Sequence, residues 1–546
     1  MAQTANHSKL LYGLNDRPPL PKAIVLGLQH VLTMFGSTVA VPLLLGPAMG
    51  MDVGQIAVLI SSVMLCSGVA TLIQTTVGSR LPIIQGVSFS FLAAFFGIIG
   101  AVVADPERFP GSPMQYIAGA VIVGAVVEIV IGFSGLMGLV RKILSPVVVG
   151  PVIMLIGLAL YQAGAPVAAS YWPISILTIV LIILCSFVLS KLNVVFRMFP
   201  MLLAILGAVA VCAALTQLDV FRGAGIAVSG EEIAAHPARP NLDAYNQSPW
   251  FRTTGVVFPW GLPKFELAFI VAVLAGYLAS MIESFGDYHA CKNIADPEGK
   301  DPTPWEISRG IGCEGVGCGL TGVFGGFSST SYSENIGLVG LTKVGSRYVV
   351  QIGAVLLILL GLFGKFGALA AAIPSPVVGG LYCAMFGLIA AVGVRQFAKA
   401  DLTSDRNLFI GGFALFMGLS LPHYFANGGA AAVDAYFDGL VESGRWSARA
   451  GEGVSSVINA LGGNGMGVAA VLGIVLDNVI PGTRAERGLE PRPSTLVPEA
   501  DDVDVPGDTS AAAPATPAAV SSAAEPAAPT ISKPKPKPDD ASVFLD

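Results

Sequence analysis

Residues 325–333, Gly-Gly-Phe-Ser-Ser-Thr-Ser-Tyr-Ser, separate two apolar stretches and decide the fold. Glycines and a run of small hydroxyl residues favour extended backbone over helix. A similar interruption nearer the N-terminus contains Pro82, Gln85 and Gly86, followed by Ser88-Phe89-Ser90. Backbone that leaves a helix at membrane depth must line a cavity or pair with protein. We therefore predict two short extended pieces that face each other, each followed by the N-terminus of a helix.

The composition places these interruptions in a membrane protein. The 546-residue chain is 53% hydrophobic and 12% charged, with a mean hydropathy of +0.72, whereas soluble domains carry about twice that charged share. Its apolar runs are about twenty residues long, which is the length of a helix that crosses the membrane. We predict fourteen segments, near residues 23–46, 53–77, 82–101, 116–140, 144–164, 172–190, 196–217, 266–289, 306–327, 330–345, 347–368, 374–394, 406–422 and 464–482.

The two halves of the chain contain matching strings. Ser145-Pro146-Val147-Val148-Val149-Gly150 opens segment five and Ser375-Pro376-Val377-Val378-Gly379-Gly380 opens segment twelve, while Ser88-Phe89-Ser90 matches Ser331-Tyr332-Ser333. Both pairs lie seven segments apart. An odd repeat length inverts the second copy, and such repeats hold substrate near the midplane between broken helices. The predicted fold class is an all-α polytopic membrane protein, a 7+7 inverted repeat with short extended strands in segments three and ten. Chance recurrence of such short strings is the alternative.

Lysine and arginine predict the orientation, because short cytoplasmic loops are enriched in them. They cluster at the ends of the even-numbered segments. We therefore predict a multi-pass protein of the inner cell membrane with both termini in the cytoplasm. Residues 1–22 form the cytoplasmic N-terminus, without a signal-peptide pattern. Residues 221–264 and about 423–463 are predicted as outside loops, and residues 483–546 as a disordered cytoplasmic tail.

Several classes of function find no support in the sequence. The seven cysteines form no CxxC pair and have no matching histidines, so we predict small buried residues rather than a metal or redox site. No basic patch indicates nucleic acid. No nucleophile stands with a base as in an enzyme. We predict no cofactor and no metal.

Acidic residues within the segments need a reason, because an aspartate at a helix centre costs about 2.5–3.5 kcal/mol to insert. Glu283 and Asp287 are four residues apart and therefore share one helical face. Two close carboxylates rarely both ionise, so one tends to hold a proton. Glu334 follows the extended run, where a helix N-terminus orients an anion toward a ligand. The alternative for Glu283 and Asp287 is that water solvates them at the end of segment eight. The alternative for Glu334 is that it only caps a helix.

Three more ionisable residues lie in the predicted segments. His30 is a candidate for proton coupling, or else a packing residue that orients the strand of segment three. Glu314 lies among small residues that allow close helix packing, and we predict that it is a partner in a polar network. Glu128, in segment four, has no visible companion and stays unassigned.

Four motifs resemble the nucleobase–ascorbate transporters, also called the nucleobase:cation symporter-2 family. Glu334-Asn335-Ile336-Gly337, then four residues and Thr342-Lys343, fits the family signature [Gln/Glu/Pro]-Asn-x-Gly-x4-Thr-[Lys/Arg/Gly]. The others are Gln29-His30, Gly86-Val87-Ser88-Phe89 and Glu283-Ser284-Phe285-Gly286-Asp287. The similarity covers roughly residues 18–425 in one order.

The resemblance implies a core domain and a gate domain. Residues 23–140 and 265–370 (segments 1–4 and 8–11) would form the core, and residues 141–220 and 371–482 (segments 5–7 and 12–14) the gate. It further implies a homodimer that works by an elevator motion and has membrane lipid and a nucleobase, but no nucleic acid, as partners.

The resemblance also implies roles for single residues. Glu283 and Glu334 would hydrogen-bond a nucleobase and the ring of Phe89 would pack on it. The other implied binding residues are Ser88, Ser333 and Asn335.

The first signature position implies the substrate. Ascorbate carriers of the family have proline there, xanthine and urate carriers commonly glutamine, and uracil carriers glutamate, so Glu334 indicates uracil. Asp287 departs from this pattern, because bacterial uracil carriers have histidine there and purine carriers aspartate. Residues 286–295, GDYHACKNIA, look closer to the animal and plant branch, which includes the ascorbate carriers.

We therefore predict proton-coupled uracil uptake in which Glu283, Asp287, Glu314 and His30 handle the proton. The alternatives are a xanthine or broader purine carrier, sodium as the co-transported ion and, more remotely, an anion exchanger of the same fold.

Overall fold

Helices make up most of the computed structural model, which describes residues 10–138, 143–218, 220–221, 236–252, 255–296 and 300–489. The first half contains α1 (Leu20–Ala48), α2 (Val53–Thr76), α3 (Leu92–Ala104), α4 (Pro113–Phe133), α5 (Pro146–Ala159), α6 (Tyr161–Ala168), α7 (Trp172–Ile183), α8 (Ser190–Leu192), α9 (Val194–Met198) and α10 (Pro200–Gln217). The second half contains α11 (Asp243–Gln247), α12 (Leu267–Ala295), α13 (Pro304–Phe324), α14 (Ser333–Thr342), α15 (Arg347–Leu362), α16 (Gly364–Ala371), α17 (Ser375–Phe397), α18 (Asp405–Tyr424), α19 (Ala430–Glu442), α20 (Ala448–Gly462) and α21 (Gly465–Val479).

Each of the fourteen predicted segments contains a helix, and some, such as 144–164 and 347–368, contain two. In the described part of the chain, nine helices are long and apolar enough to cross a membrane, or ten if α20 and α21, bent by 93°, count as one span. The all-α polytopic fold class is confirmed. Residues 1–9 and 490–546, which include most of the predicted tail, lie outside the described residues.

The two predicted extended pieces are present and pair with each other. β1 (Gln85–Val87) and β2 (Ser329–Ser331) form an antiparallel two-stranded sheet in which Gly86 lies opposite Thr330. Backbone bonds from Ser88 N to Ser328 O and from Tyr332 N to Ile84 O, both 3.0 Å, extend the pairing at its two ends. The polar backbone of both interruptions is thereby satisfied inside the protein, as membrane depth requires.

Local sequence explains where these helices stop and start. Thr303 and Glu306 form a capping box that begins α13 at Pro304, and Gly325, with φ +70°, ends it in the left-handed conformation that glycine favours. Gly86 is required for a different reason. A Cβ at this position would overlap the ring of Tyr332, whose hydroxyl donates to Val87 O at 2.9 Å.

Glycines also permit close contact between α4 and α13. A Cβ at Gly132 would overlap the backbone of Gly312, and one at Gly315 would lie 2.9 Å from Ile129. The Ser308 hydroxyl donates to Gly132 O at 2.6 Å across the same contact. Small residues let the two backbones approach, as in membrane helix pairs generally. This pair forms one wall behind the site described below.

The predicted outside loop at residues 423–463 is wrong, because this stretch is mostly helical. α18 and α19 are joined by a kink at Asn427 and Gly428, where the backbone is not helical, and α20 follows after a short turn. Glycine and asparagine in the stretch are typical of loops. Its alanine-rich parts nevertheless form helices that pack on each other, with Asn459 Nδ2 donating to Asp434 Oδ1 at 2.9 Å.

Candidate functional site

The candidate site lies where the two strands give way to helices. A 3-10 turn, Phe89–Phe91, and then α3 follow β1, whereas α14 follows β2. α12 passes beside β2 and α14. Glu334 is exposed at the start of α14, while Phe89 and Glu283 are half-buried. The predicted binding residues therefore come from three separate parts of the sequence to one region.

Asp287 is buried, and each of its two carboxyl oxygens accepts a hydrogen bond. The Ser331 hydroxyl donates to its Oδ2 and the Ser333 hydroxyl to its Oδ1, both at 2.7 Å. Asp287 is therefore not a solvated carboxylate at the end of segment eight, which was the alternative. Asp287 instead joins α12 to β2 and to the first residue of α14.

Glu314 lies at the centre of a second buried network. Ser280 and Ser284 donate to its Oε1 at 3.1 and 2.8 Å, and Tyr288 donates to its Oε2 at 2.8 Å. Gln74 Nε2 in turn donates to the Tyr288 hydroxyl at 2.6 Å. The network predicted for Glu314 is present. Sequence reasoning missed its donors, although Ser280, Ser284 and Tyr288 recur every four residues and so share one face of α12.

Glu283 and Glu334 differ from these two acids because little in the protein satisfies them. Glu283 interacts electrostatically with Asp287, Glu334 and Glu314, but no described residue donates a hydrogen bond to its side chain. Glu334 receives a hydrogen bond from its own backbone N–H and a long one from the Ser37 hydroxyl at 3.4 Å. A carboxylate can accept about four hydrogen bonds. Both side chains therefore keep acceptor capacity for a ligand.

His30 and Asn335 bind each other away from that pair of acids. Asn335 Nδ2 donates to His30 O at 2.9 Å and lies 3.2 Å from His30 Nδ1, and both residues are buried. His30 thus fixes the third residue of α14, and its side-chain hydrogen bond goes to this helix and not to the strand of segment three named in the packing alternative. Asn335 Oδ1 has no hydrogen-bond partner among the described residues.

Ser88 is buried and its hydroxyl accepts from Ser90 N at 3.2 Å, which caps the turn containing Phe89. The predicted binding serine thus positions the neighbouring aromatic ring. Ser333 is exposed and holds Asp287, as described above.

Two further ionisable residues lie within electrostatic range of these acids. Glu128 is fully buried, its carboxyl oxygens have no hydrogen-bond partner in the described chain, and it interacts electrostatically with Glu314. Lys399, exposed after α17, interacts with Asp287. Within the described ranges, no group of three or more His, Cys, Asp or Glu residues could hold a metal ion.

Apolar helices that break at two paired strands beside a cluster of acids define a multi-pass membrane transporter. The family model described as "Permease family" matches residues 21–427. The chain is 39% identical over 525 residues to "Solute carrier family 23 member 1" of Rattus norvegicus, covering 88% of this chain and 82% of that protein. It is 34% identical over 520 residues to "Nucleobase-ascorbate transporter 12" of Arabidopsis thaliana, covering 89% and 72%. The chain belongs to the nucleobase–ascorbate transporter family.

Among solved structures, the transmembrane domain of the cyanobacterium bicarbonate transporter BicA is similar, with a TM-score of 0.46 and 16% identity. That match covers 73% of this chain and 94% of that one.

Proposed function

We propose that this transporter imports a nucleobase, uracil, together with a proton. Glu283 and Glu334 support the proposal most strongly, because both offer hydrogen-bond acceptors at the site and receive few donors from the protein. Uracil is a flat, neutral ring with two N–H groups, and these can donate hydrogen bonds to such carboxylates. Its two carbonyl oxygens can accept from backbone N–H groups, and the first N–H groups of any helix lack partners within that helix. At the start of α14, Asn335 N donates to Tyr332 O and the Glu334 N–H bonds its own carboxylate. Among the first three N–H groups, that of Ser333 is therefore the one left for a ligand within the described part of the chain.

The charge of the site favours a neutral ligand over an anion. Glu283, Asp287, Glu314 and Glu334 lie within electrostatic range of one another, with Lys399 as the basic residue acting on Asp287. An ascorbate or bicarbonate anion would meet repulsion from these acids in a medium of low dielectric constant. The half-buried ring of Phe89 offers a surface on which a planar base can stack.

A chain of hydroxyl groups between two acids supports proton coupling. Ser331 Oγ lies 2.7 Å from Asp287 Oδ2, Ser284 Oγ lies 2.9 Å from Ser331 Oγ, and Ser284 Oγ lies 2.8 Å from Glu314 Oε1. These three contacts need three hydrogens. When each serine donates to its carboxylate, the contact between the two serines has none, and one serine must turn to donate to the other. A third hydrogen, carried by one of the two carboxyl groups, completes the chain. The acid pair is thus arranged to share one proton, which coupling to a proton gradient requires.

In this proposal the molecule is a homodimer with an elevator motion. α1–α4 and α12–α16 form the moving core and α5–α10 and α17–α21 the gate. Two of the hydrogen bonds between these groups would break during the motion. They run from Tyr382 OH to Ala40 O, at 3.1 Å, and from Asn464 Nδ2 to Ala272 O, at 3.2 Å.

Glu334→Gln tests the substrate. We expect it to weaken uracil binding by about tenfold or more, because hydrogen bonds to a charged group contribute about 1.5–3 kcal/mol, and to allow purine recognition. Competition against labelled uracil uptake in vesicles, with unlabelled uracil and xanthine, measures both effects. Glu107→Gln, at an exposed position beyond α3, is the matched control. Unchanged uracil uptake in Glu334→Gln would refute Glu334 as a ligand, and uptake of labelled xanthine but not of labelled uracil by the unaltered protein would refute uracil as the substrate.

The co-transported ion has its own test. In vesicles without sodium, we expect acidification of the outside to drive uracil accumulation, whereas a sodium gradient at equal pH should not. Ser331→Ala breaks the hydroxyl chain, so it should abolish the response to pH while uracil binding stays within about threefold, and Ser331→Thr should restore it. Uptake that follows sodium alone would replace the proton with sodium in the proposal.

A further inference from the structure

A basic cavity lies in the core helices, on the face predicted to be cytoplasmic. It encloses about 500 Å3 and is lined by Asn15, Arg17, Thr76, Arg80, Arg347, Tyr348 and Gln351. None of the candidate substrate residues lines it.

The N-terminal segment before α1 builds one wall of this cavity. Tyr12 pairs in parallel with Val344, and Gly345 N donates to Tyr12 O at 2.8 Å. Arg347 N donates to Leu14 O at 3.1 Å, which fixes the start of α15 against the segment. The end of α2 forms the opposite wall. The cavity is therefore bounded on three sides, by the N-terminal segment, the end of α2 and the start of α15.

The cavity concentrates positive charge. Arg17, Arg80 and Arg347 line it, and no lining residue is acidic. Arg17 stacks on Tyr348, with its guanidinium carbon 5.9 Å from the ring centre, while Arg80 Nε donates to Thr76 O at 3.2 Å. Among the described residues, few groups accept hydrogen bonds from these guanidinium N–H groups, which can therefore bind an anion, and planar guanidinium matches phosphate geometry.

The surroundings of the cavity favour a lipid over a soluble anion. Along α15, Val355 and Leu359 follow Gln351 at four-residue intervals, and their side chains are 42% and 56% exposed. Val77, next to Thr76, is 56% exposed. An apolar surface thus begins where the basic cavity ends, which matches a charged headgroup joined to acyl chains. Basic pockets between membrane helices on the cytoplasmic side bind such headgroups.

We propose that Arg17, Arg80 and Arg347 bind the phosphate of an anionic phospholipid whose acyl chains lie along α15. The site is independent of the substrate and of the co-transported ion. The lipid would bridge the N-terminal segment, α2 and α15 and hold these three parts of the core together.

Native mass spectrometry of the purified full-length protein tests the site. The chain is titrated with phosphatidylglycerol, with phosphatidylcholine, and with phosphatidylglycerol in the presence of inorganic phosphate. We expect phosphatidylglycerol to bind more tightly than phosphatidylcholine, and each Arg→Gln change at the three positions to weaken its binding about fivefold, the usual contribution of one basic residue at a membrane surface.

Arg197→Gln is the matched control, because Arg197 is an exposed arginine on α9, away from the cavity. It should leave phosphatidylglycerol binding unchanged. Arg17 and Arg80 are exposed, so Arg17→Gln and Arg80→Gln should not impair folding, and they keep the test decisive if the change at the half-buried Arg347 does. Equal lipid binding by Arg17→Gln, Arg197→Gln and the unaltered protein would overturn the site. Displacement of lipid by millimolar inorganic phosphate would overturn the assignment to a lipid.

Discussion

Glu283→Gln is expected to reduce uracil uptake by about a hundredfold. The change replaces a charged acceptor by a neutral amide, and about 3 kcal/mol for such a bond corresponds to roughly that factor. Since no described residue donates a hydrogen bond to Glu283, the loss falls on the ligand and not on the fold. Uptake into proteoliposomes and binding of labelled uracil to purified protein both measure it.

The same variant should be at least as stable as the unaltered protein. Glu283 has acidic neighbours at Asp287, Glu334 and Glu314, so the amide relieves repulsion. Functional sites often carry such a cost in stability. Glu266→Gln, at the other end of α12, is the control and should leave uptake and unfolding unchanged. Uptake by Glu283→Gln within a few-fold of normal would show that the ligand is bound elsewhere.

Gly132→Ala is expected to destabilise the protein by about 3 kcal/mol, at the upper end of the usual range for an overpacked interior. The added methyl group would overlap the backbone of Gly312, which cannot move aside as a flexible side chain can. α4 and α13 would be forced apart beside Glu314. The midpoint of thermal unfolding in detergent measures the effect.

Gly97→Ala makes the same chemical change where there is room. No atom lies within 4 Å of a Cβ built at Gly97 in α3, and alanine is favoured over glycine in a helix by up to about 1 kcal/mol. We expect this variant to unfold at or slightly above the normal temperature. Equal midpoints for Gly132→Ala and Gly97→Ala would show that the α4–α13 contact is looser than described.

Much of this molecule could be predicted from local sequence. The fourteen apolar runs, and the two interruptions around Gly86 and residues 325–333, gave the helices and the strand pair because membrane depth leaves backbone few alternatives. The acids Glu283, Asp287, Glu314 and Glu334 stood out because charge is rare in such segments. That they lie near one another was predicted and is found.

The rest depends on contacts between distant residues. The bond from Ser331 to Asp287 and the pairing of Asn335 with His30 join residues 44 and 305 positions apart, and no local pattern contains them. The helices at residues 430–442 and 448–462 were missed because glycine and asparagine resemble loop sequence until packing between helices is known.

The paired strands have a consequence for how this family diversifies. The bonds between the strands join main-chain atoms, so the pairing itself needs a particular residue only at Gly86, while Ser331 is needed for its bond to Asp287. Natural selection can then exchange the few side chains that touch the cargo without rebuilding the support beneath them. Proteins with a common architecture can in this way acquire different transported molecules through a handful of changes.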